Sequence, residues 1–147
     1  MCSTCRLNPY AGTTFAGFNA GLSSYAQDHG FTYSTSNLFS GGSFNFNSYK
    51  TAVENGQVVA LFFDGYAIHL QTIEEDGIDT VRSAVSVNTH IAIGCGYKVD
   101  TYYDEDGNII SEQKYLYVAS GLTSYGSCYF NINAYGSLDQ AIAVTIQ

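Results

Sequence analysis

The residues best suited to chemistry in this chain are three histidines and four cysteines. His90 opens the apolar run HIAIGCGY, whereas Cys2 and Cys5 lie together near the start of the sequence. A thiol is mostly protonated at pH 7, and an adjacent imidazole converts it to a thiolate by forming an ion pair. A cysteine and a histidine from distant parts of the chain could therefore form a nucleophile and its general base.

The position of His90 allows two interpretations. The first residue of a buried strand is a rigid place at the edge of a cleft, which suits a catalytic base. It equally suits a histidine whose ring only caps the strand end with hydrogen bonds. His29 stands beside the glycine that ends a helix, and His69 lies in an irregular segment, so both are interpreted as surface or packing residues.

The cysteines favour neither a metal site nor a redox site. Cys2 and Cys5 form a single CxxC, and a zinc site would need ligands from afar. A thioredoxin-type site needs a following helix, which Pro9 interrupts. Cys95 and Cys128 lie within apolar strands and are predicted to be buried and unreactive, whereas Cys2 and Cys5 should react readily with alkylating reagents. We expect no metal and no cofactor.

The acidic stretch YYDEDGNII permits a calcium site or a tight turn. Its glycine comes too early for an EF-hand loop, and a bidentate glutamate at the twelfth position is missing. Asp106-Gly107 between alternating residues is a strong hairpin signal. The hairpin explains the acidic residues with fewer assumptions.

A helix, a short exposed strand over 31–36 and a second helix are predicted before the main run of strands. Residues 13–28 carry apolar side chains at helical spacing, with Thr13 or Thr14 as a cap and Gly30 as a stop. Asn47 is predicted to cap a short second helix, which Gly56 ends.

The remaining pattern predicts an α+β fold with a mainly antiparallel sheet and helices packed on it. The runs 57–63, 90–99 and 114–120 should be neighbouring strands, with the helix 13–28 packed on their sheet. Two more strands, around SCYFNI and AIAVTI, close the chain. The stretch 64–87 is ambiguous, with strand or loop pieces around an acidic turn.

Composition excludes several classes of function. The 147 residues fit one domain, and the net charge of −8 with five scattered basic residues argues against nucleic acid and against anionic membrane surfaces. The chain has neither an apolar stretch of membrane-spanning length nor a signal-peptide core, so we expect no membrane insertion. The sparsely charged, tyrosine-rich composition is common in exported bacterial proteins, which suggests a secreted or cell-surface location.

The order of elements resembles the C-terminal half of papain-like cysteine peptidases, especially the bacterial C39-like group. In that family a histidine opens a strand that ends in Gly-Tyr, as in HIAIGCGY at 90–97, and a return strand follows, as in YLYVAS at 115–120. The segment FNSYKTAVENGQVVALFF is similar to the family's short helix and following strand. The resemblance extends over roughly residues 14 to 147.

This resemblance implies a single papain-like domain over residues 1–147 that hydrolyses peptide bonds of a peptide or protein substrate through an acyl-thioester. His90 would be the base, and Ser120 occupies the orienting position where the family has Asn or Asp. The nucleophile would be Cys5 or a residue outside this chain. The helix 13–28 aligns with the family's second helix, so the nucleophile helix would precede Met1 or be absent.

Two other readings remain open from the sequence. One is a catalytically inactive, secreted binding or adhesion domain on the same fold, whose tyrosine-rich surface would contact its partner. The other is an unrelated α+β structural protein in which the strand 90–99 belongs only to the core.

Overall fold

A computed structural model of the chain describes two helices and twelve strands among the residues that it places. Helix α1 spans Phe15–His29 and helix α2 spans Phe46–Glu54. Neither of these described helices combines the length and the apolar character needed to cross a membrane. The residues described are 14–64, 67–68, 72–75, 78–81, 84–86, 90–122, 125–132 and 137–147.

Helix α1 begins and ends where its sequence predicts. The side chain of Thr14 accepts a hydrogen bond from the Gly17 amide at 3.1 Å, which satisfies a donor that the helix leaves unpaired. Gly30 follows the last turn with φ of 71°, a left-handed conformation that favours glycine, and its amide donates to carbonyls of the final turn. The predicted cap at Thr14 and stop at Gly30 are confirmed.

Helix α2 begins two residues earlier than predicted. Asn45, not Asn47, is the capping residue, since its side chain accepts from the Ser48 amide at 3.0 Å. Phe46 is buried in the core, so the first turn starts with this anchoring side chain and Asn47 lies within the helix. The prediction of a cap at Asn47 was therefore wrong, although the helix does end just before Gly56.

Among the described residues, the strands form one large sheet and two small ones. The large sheet has eight strands in the order β1-β12-β4-β9-β10-β11-β7-β6, and its pairs are antiparallel apart from β11 with β7. The pairs β2-β3 and β5-β8 form the small sheets. The strands are β1 Tyr33–Asn37, β2 Phe39–Ser40, β3 Ser43–Phe44, β4 Val58–Asp64, β5 Ala67–Ile68, β6 Thr72–Glu75, β7 Ile78–Val81, β8 Ala84–Ser86, β9 His90–Tyr103, β10 Ile109–Leu122, β11 Tyr125–Asn131 and β12 Ser137–Ile146.

The three predicted apolar strands are neighbours in this sheet, which confirms the α+β class and the mainly antiparallel pairing. Strand β4 pairs with β9 through Phe63 opposite His90. Strand β9 pairs with β10 through Gly94 opposite Val118. The central strands thus carry His90 at one end of the sheet, where β9 begins.

Each face of the sheet is covered by a helix. Tyr49 of α2 packs with Leu61 and Leu116 in the larger apolar cluster. Phe18 of α1 packs on the other cluster, where its ring lies edge-on to Phe62 with centroids 5.4 Å apart. Alternate residues of a strand point to opposite faces, so a continuous apolar run such as β4 contributes to both layers. The predicted packing of the first helix on the sheet is confirmed.

The acidic stretch forms the turn of the β9-β10 hairpin, as predicted. The carboxylate of Asp104 accepts hydrogen bonds from the amides of Asp106 and Asn108 at 3.0 and 2.7 Å. The Asn108 side chain donates to the same carboxylate at 3.0 Å, and this contact is the main cause that lowers the pKa of Asp104 below its ordinary value. Asp104 therefore serves to order its own turn.

Candidate functional site

His90 lies at the end of the central part of the sheet. It is the first residue of β9, it pairs with Phe63 of β4, and its side chain is half-buried. Phe63 is itself almost completely buried and packs edge-on against Phe130 with ring centroids 4.9 Å apart. The backbone that carries the imidazole is thereby fixed by the core, while His90 as a residue is only half-buried.

The imidazole of His90 contacts Ser120, which lies 30 positions further along the chain. The Nε2 atom is 2.6 Å from the backbone carbonyl oxygen of Ser120. A carbonyl can only accept a hydrogen bond, so Nε2 carries the proton and donates it. In the neutral ring Nδ1 is then the basic nitrogen. The structure thus brings together the two positions that the sequence singled out as base and orienting residue.

A β-bulge places the Ser120 carbonyl in this position. The register of β10 against β11 shifts between Ala119 and Leu122. Over this interval β10 advances by three residues while β11 advances by two, so β10 has one extra residue. Gly121 adopts φ of 69°, a conformation in which glycine has no steric penalty. An extra residue disrupts the ladder locally and re-aims nearby groups. The carbonyl of Ser120 therefore meets the ring of a residue on the neighbouring strand.

The use of a backbone carbonyl changes what Ser120 contributes. The resemblance placed Ser120 at the orienting position, where an Asn or Asp side chain would be expected. The observed contact instead comes from the main chain, and Ser120 is itself buried, with 5% of its surface exposed. A main-chain acceptor orients the ring whatever side chain stands at position 120. The serine is thus compatible with an oriented imidazole.

Cys95 is exposed, contrary to the prediction that it is a buried core residue. Gly94 pairs with Val118 and Gly96 pairs with Tyr117, so Cys95 is the extra residue of a second bulge. Simple alternation along an apolar run does not anticipate this bulge. The thiol donates a weak hydrogen bond to the Ile93 carbonyl at 3.4 Å.

Cys95 is too far along β9 to be the partner of His90. Five residues of extended strand separate the two positions by about 16 Å at a rise of about 3.3 Å per residue. Cys2 and Cys5 lie outside the described residues, as do His69 and the side chain of Cys128. Within the described part of the chain, then, the candidate site is built on the contact between His90 and the Ser120 carbonyl.

We expect Cys95 to be alkylated rapidly in the reduced, folded protein, because its thiol is solvent-accessible. Iodoacetamide labelling followed by peptide mass spectrometry measures its rate, and a Cys95→Ser variant identifies the modified peptide. The rate should be comparable with that of the same thiol in the urea-unfolded chain. Labelling of Cys95 only after unfolding would contradict its placement at an exposed bulge.

The ring of Tyr49 packs closely against β9 at Gly94. Tyr49 has none of its surface exposed, and its hydroxyl donates to the Gly96 carbonyl at 2.7 Å. Burial raises the pKa of this phenol well above its usual range. A Cβ on Gly94 would lie only 2.7 Å from the Tyr49 ring. The contact between these two residues was not predicted from the sequence, although a glycine inside a strand can mark a close approach of another group.

His29 is a packing residue, as interpreted from the sequence. Its ring stacks on Tyr25 with centroids 4.1 Å apart, and its Nδ1 lies 2.9 Å from the Tyr25 carbonyl. Both residues are exposed at the C-terminal end of α1. Among the residues that the structure describes, no three His, Cys, Asp or Glu side chains come together in an arrangement that could hold a metal ion.

A general base for a thiol needs an imidazole whose orientation is fixed, and at His90 the contact between Nε2 and the Ser120 carbonyl oxygen holds the ring. Comparison of the chain with protein-family models, curated proteins and solved structures finds no match.

Proposed function

We propose that the chain is a papain-like, C39-like domain that hydrolyses peptide bonds with His90 as the general base. The observation that supports this proposal is the hydrogen bond from His90 Nε2 to the Ser120 carbonyl. It fixes the ring and the tautomer at the two positions that the family resemblance assigns to the base and its orienting residue. The mixed α+β architecture with a mainly antiparallel sheet, which the resemblance also implies, gives coarser support to the proposal.

The proposed reaction begins with proton transfer from a cysteine thiol to Nδ1 of His90. The thiolate then attacks the peptide carbonyl carbon, and the imidazolium returns the proton to the departing amine as the C–N bond breaks. Water hydrolyses the resulting acyl-thioester, with His90 now taking a proton from the water. Cys5 is the candidate nucleophile in this sequence, and the alternative is a cysteine outside it.

The Ser120 carbonyl has a specific part in this cycle. When Nδ1 gains a proton the ring becomes positively charged, and hydrogen bonds that involve an ionised group are shorter and stronger than neutral ones. The carbonyl oxygen carries a partial negative charge that faces the Nε2–H. It therefore stabilises the imidazolium and prevents the ring from rotating away between proton transfers.

Matched cysteine variants test the proposal. Wild-type protein is expected to cleave a fluorescein-labelled casein, and iodoacetamide should abolish this activity. The variant Cys5→Ser should lose hydrolysis, because a serine hydroxyl is far less acidic than a thiol, whereas Cys2→Ser should retain it. Hydrolysis that survives both substitutions and alkylation would contradict a thiol mechanism.

A binding or adhesion role is the second candidate, and the far end of the β9-β10 hairpin favours it. Tyr102, Tyr103, Ile109 and Ile110 are exposed there by 46%, 59%, 60% and 66%. Clustered apolar side chains on a surface often mark an interaction site. A wild-type chain that cleaves no peptide but captures peptides from a displayed library, with capture lost in Ile110→Ser, would support binding over hydrolysis.

A further inference from the structure

Strand β1 forms one edge of the large sheet. It pairs with β12 in an unbroken antiparallel register, from Tyr33 opposite Ile146 to Asn37 opposite Ile142. Among the described residues, no strand lies on its other side. Edge strands are commonly protected by a charged residue, a proline or a bulge. The sequence of β1 is YSTSN, four of these five residues are exposed, and the register has no shift, so the edge is open to another strand.

The hydrogen bonds to β12 show which backbone groups of β1 point to this free edge. Thr32 and Gln147 exchange two backbone hydrogen bonds, at 3.2 and 2.8 Å. At the other end of the strand, the Leu38 amide donates to the Ala141 carbonyl at 2.9 Å. Hydrogen-bonded and non-hydrogen-bonded pairs alternate in an antiparallel ladder, so the even-numbered residues from Thr32 to Leu38 bond to β12. The odd-numbered residues therefore direct their N–H and C=O groups away from β12.

Tyr33, Thr35 and Asn37 thus present backbone donors and acceptors at the free edge. Within the described ranges, these outward groups make no backbone hydrogen bond. They recur at every second residue, roughly 7 Å apart. An extended peptide presents its own backbone groups at the same repeat. A strand that is added here can therefore bond to β1 as β12 does on the other side.

A cavity lies beside this edge on each face of the sheet. The α1-side cavity, of about 700 Å³, is lined by Thr35 together with Phe15 and Ile142. The α2-side cavity, of about 450 Å³, is lined by Ser36 together with Ala52. Successive side chains of a strand point to opposite faces. Successive side chains of an added strand would consequently point to one cavity and then to the other.

The two cavities differ in the chemistry of their described walls. Phe15, Phe39 and Leu138 give the α1-side cavity apolar walls, and burial of an apolar side chain against them is favourable. Asp139 also lines this cavity, which disfavours an acidic side chain there. The α2-side cavity is lined by residues with amide and hydroxyl groups, which suit a side chain that donates and accepts hydrogen bonds. They include Asn47, Ser48 and Thr51.

We propose that the free edge of β1 binds an extended peptide as an additional antiparallel strand. An apolar side chain opposite Thr35 enters the α1-side cavity, and an uncharged polar side chain opposite Ser36 enters the α2-side cavity. Main-chain hydrogen bonds hold the peptide, and the alternating side chains select it. The net charge of −8 disfavours a second copy of the chain as the occupant, because two copies repel each other. This binding uses neither His90 nor Cys5 and goes beyond the proposed hydrolysis.

Backbone-methylated peptides test the strand pairing. The probe is acetyl-Gly-Thr-Val-Asn-Val-Thr-Gly-amide, whose valines lie opposite Thr35 and Asn37 and whose asparagine lies opposite Ser36. It should shift the amide resonances of Thr35 and Asn37 in a saturable manner. N-methylation of the two valines should weaken binding about tenfold or more, because it removes donors that face β1. N-methylation of the asparagine should leave the affinity nearly unchanged, since that amide points away from β1. Equal effects of the two modifications, or an unmodified probe that does not bind, would overturn the proposal.

A proline substitution tests the protein side of the same hydrogen bonds. Proline is tolerated on an edge strand where the N–H faces solvent. Thr35→Pro should therefore keep the pairing with β12 and weaken binding of the probe about tenfold or more. The methylated peptides still decide the matter on wild-type protein should this variant fold poorly.

Two further comparisons test the side chains and separate this site from the catalytic proposal. The exchanged peptide acetyl-Gly-Thr-Asn-Val-Asn-Thr-Gly-amide should bind more weakly than the probe, because its polar side chains would meet the apolar walls. His90→Ala should bind the probe normally even if it hydrolyses no peptide, so the two proposals fail separately. Equal binding of the exchanged peptide would contradict the assignment of the cavities. A dimer of the free chain that the probe dissociates would identify a second copy as the occupant and overturn the proposal.

Discussion

His90→Ala is expected to lower kcat/KM for peptide hydrolysis by about 10²–10⁴-fold, the range that a positioned general base contributes. The fold should survive, because the half-buried ring at the start of β9 fills little core volume. We expect the free energy of unfolding to fall by no more than about 1–2 kcal/mol, which is typical of a point change that leaves no large cavity. Hydrolysis of labelled casein and urea unfolding of the same preparation measure the two effects.

His29→Ala is the matched control for this change. It removes an imidazole that stacks on Tyr25 at the surface, and hydrolysis should stay at the wild-type level. Equal losses in the two histidine variants would show that neither ring acts as a specific base. A His90→Ala protein that is strongly destabilised but unchanged in specific activity would instead mark His90 as a structural hydrogen-bonding residue.

Gly94→Ala is expected to destabilise the fold by about 1–3 kcal/mol, the usual effect of overpacking a core. The new methyl group would meet the Tyr49 ring and hydroxyl at 2.7 Å, and Tyr49 is completely buried. Moving the ring would also strain its hydrogen bond to Gly96. Urea unfolding measures the change in free energy.

Gly96→Ala provides the comparison, because its Cβ would lie at an ordinary 3.4 Å from Tyr117. Gly96→Ala should lower the free energy of unfolding clearly less than Gly94→Ala does. In a Tyr49→Leu background, Gly94→Ala should also lower the free energy of unfolding less than it does in the wild type. The colliding ring is then absent, and the effects of substitutions at contacting residues are not additive. Similar losses for both glycines would be incompatible with the close packing of Tyr49 on Gly94.

Much of the fold could be predicted because its signals are local. The apolar spacing of α1, its Thr14 cap and its Gly30 stop act within a few residues of one another. The hairpin turn is likewise specified by a short stretch whose Asp104 binds its own neighbours. The start of α2 was misplaced because Asn45 and Asn47 are equally good caps in isolation. The burial of Phe46 decides between them, and that depends on tertiary packing.

The candidate site could be predicted only in part. The position of His90 at the head of a buried strand follows from the apolar run behind it. The carbonyl of Ser120 could not be foreseen as its partner, because a bulge between Ala119 and Leu122 sets the direction of that group. Cys95 was misjudged for a related reason, since an unpaired residue interrupts the alternation along β9. Bulges depend on the register between strands, which sequence patterns do not fix.

The pH dependence of thiol alkylation tests most directly whether His90 is the base for a cysteine. Iodoacetamide rates at Cys5 are measured by mass spectrometry in wild-type and His90→Ala protein, with Cys95 in the same samples as an internal reference. We predict that wild-type Cys5 stays reactive well below pH 8.5, roughly the ordinary pKa of a free thiol, because an imidazolium stabilises the thiolate. In His90→Ala this reactivity should move up to the range of an ordinary thiol while Cys95 is unchanged. Identical profiles for Cys5 in the two proteins would contradict a Cys5–His90 pair.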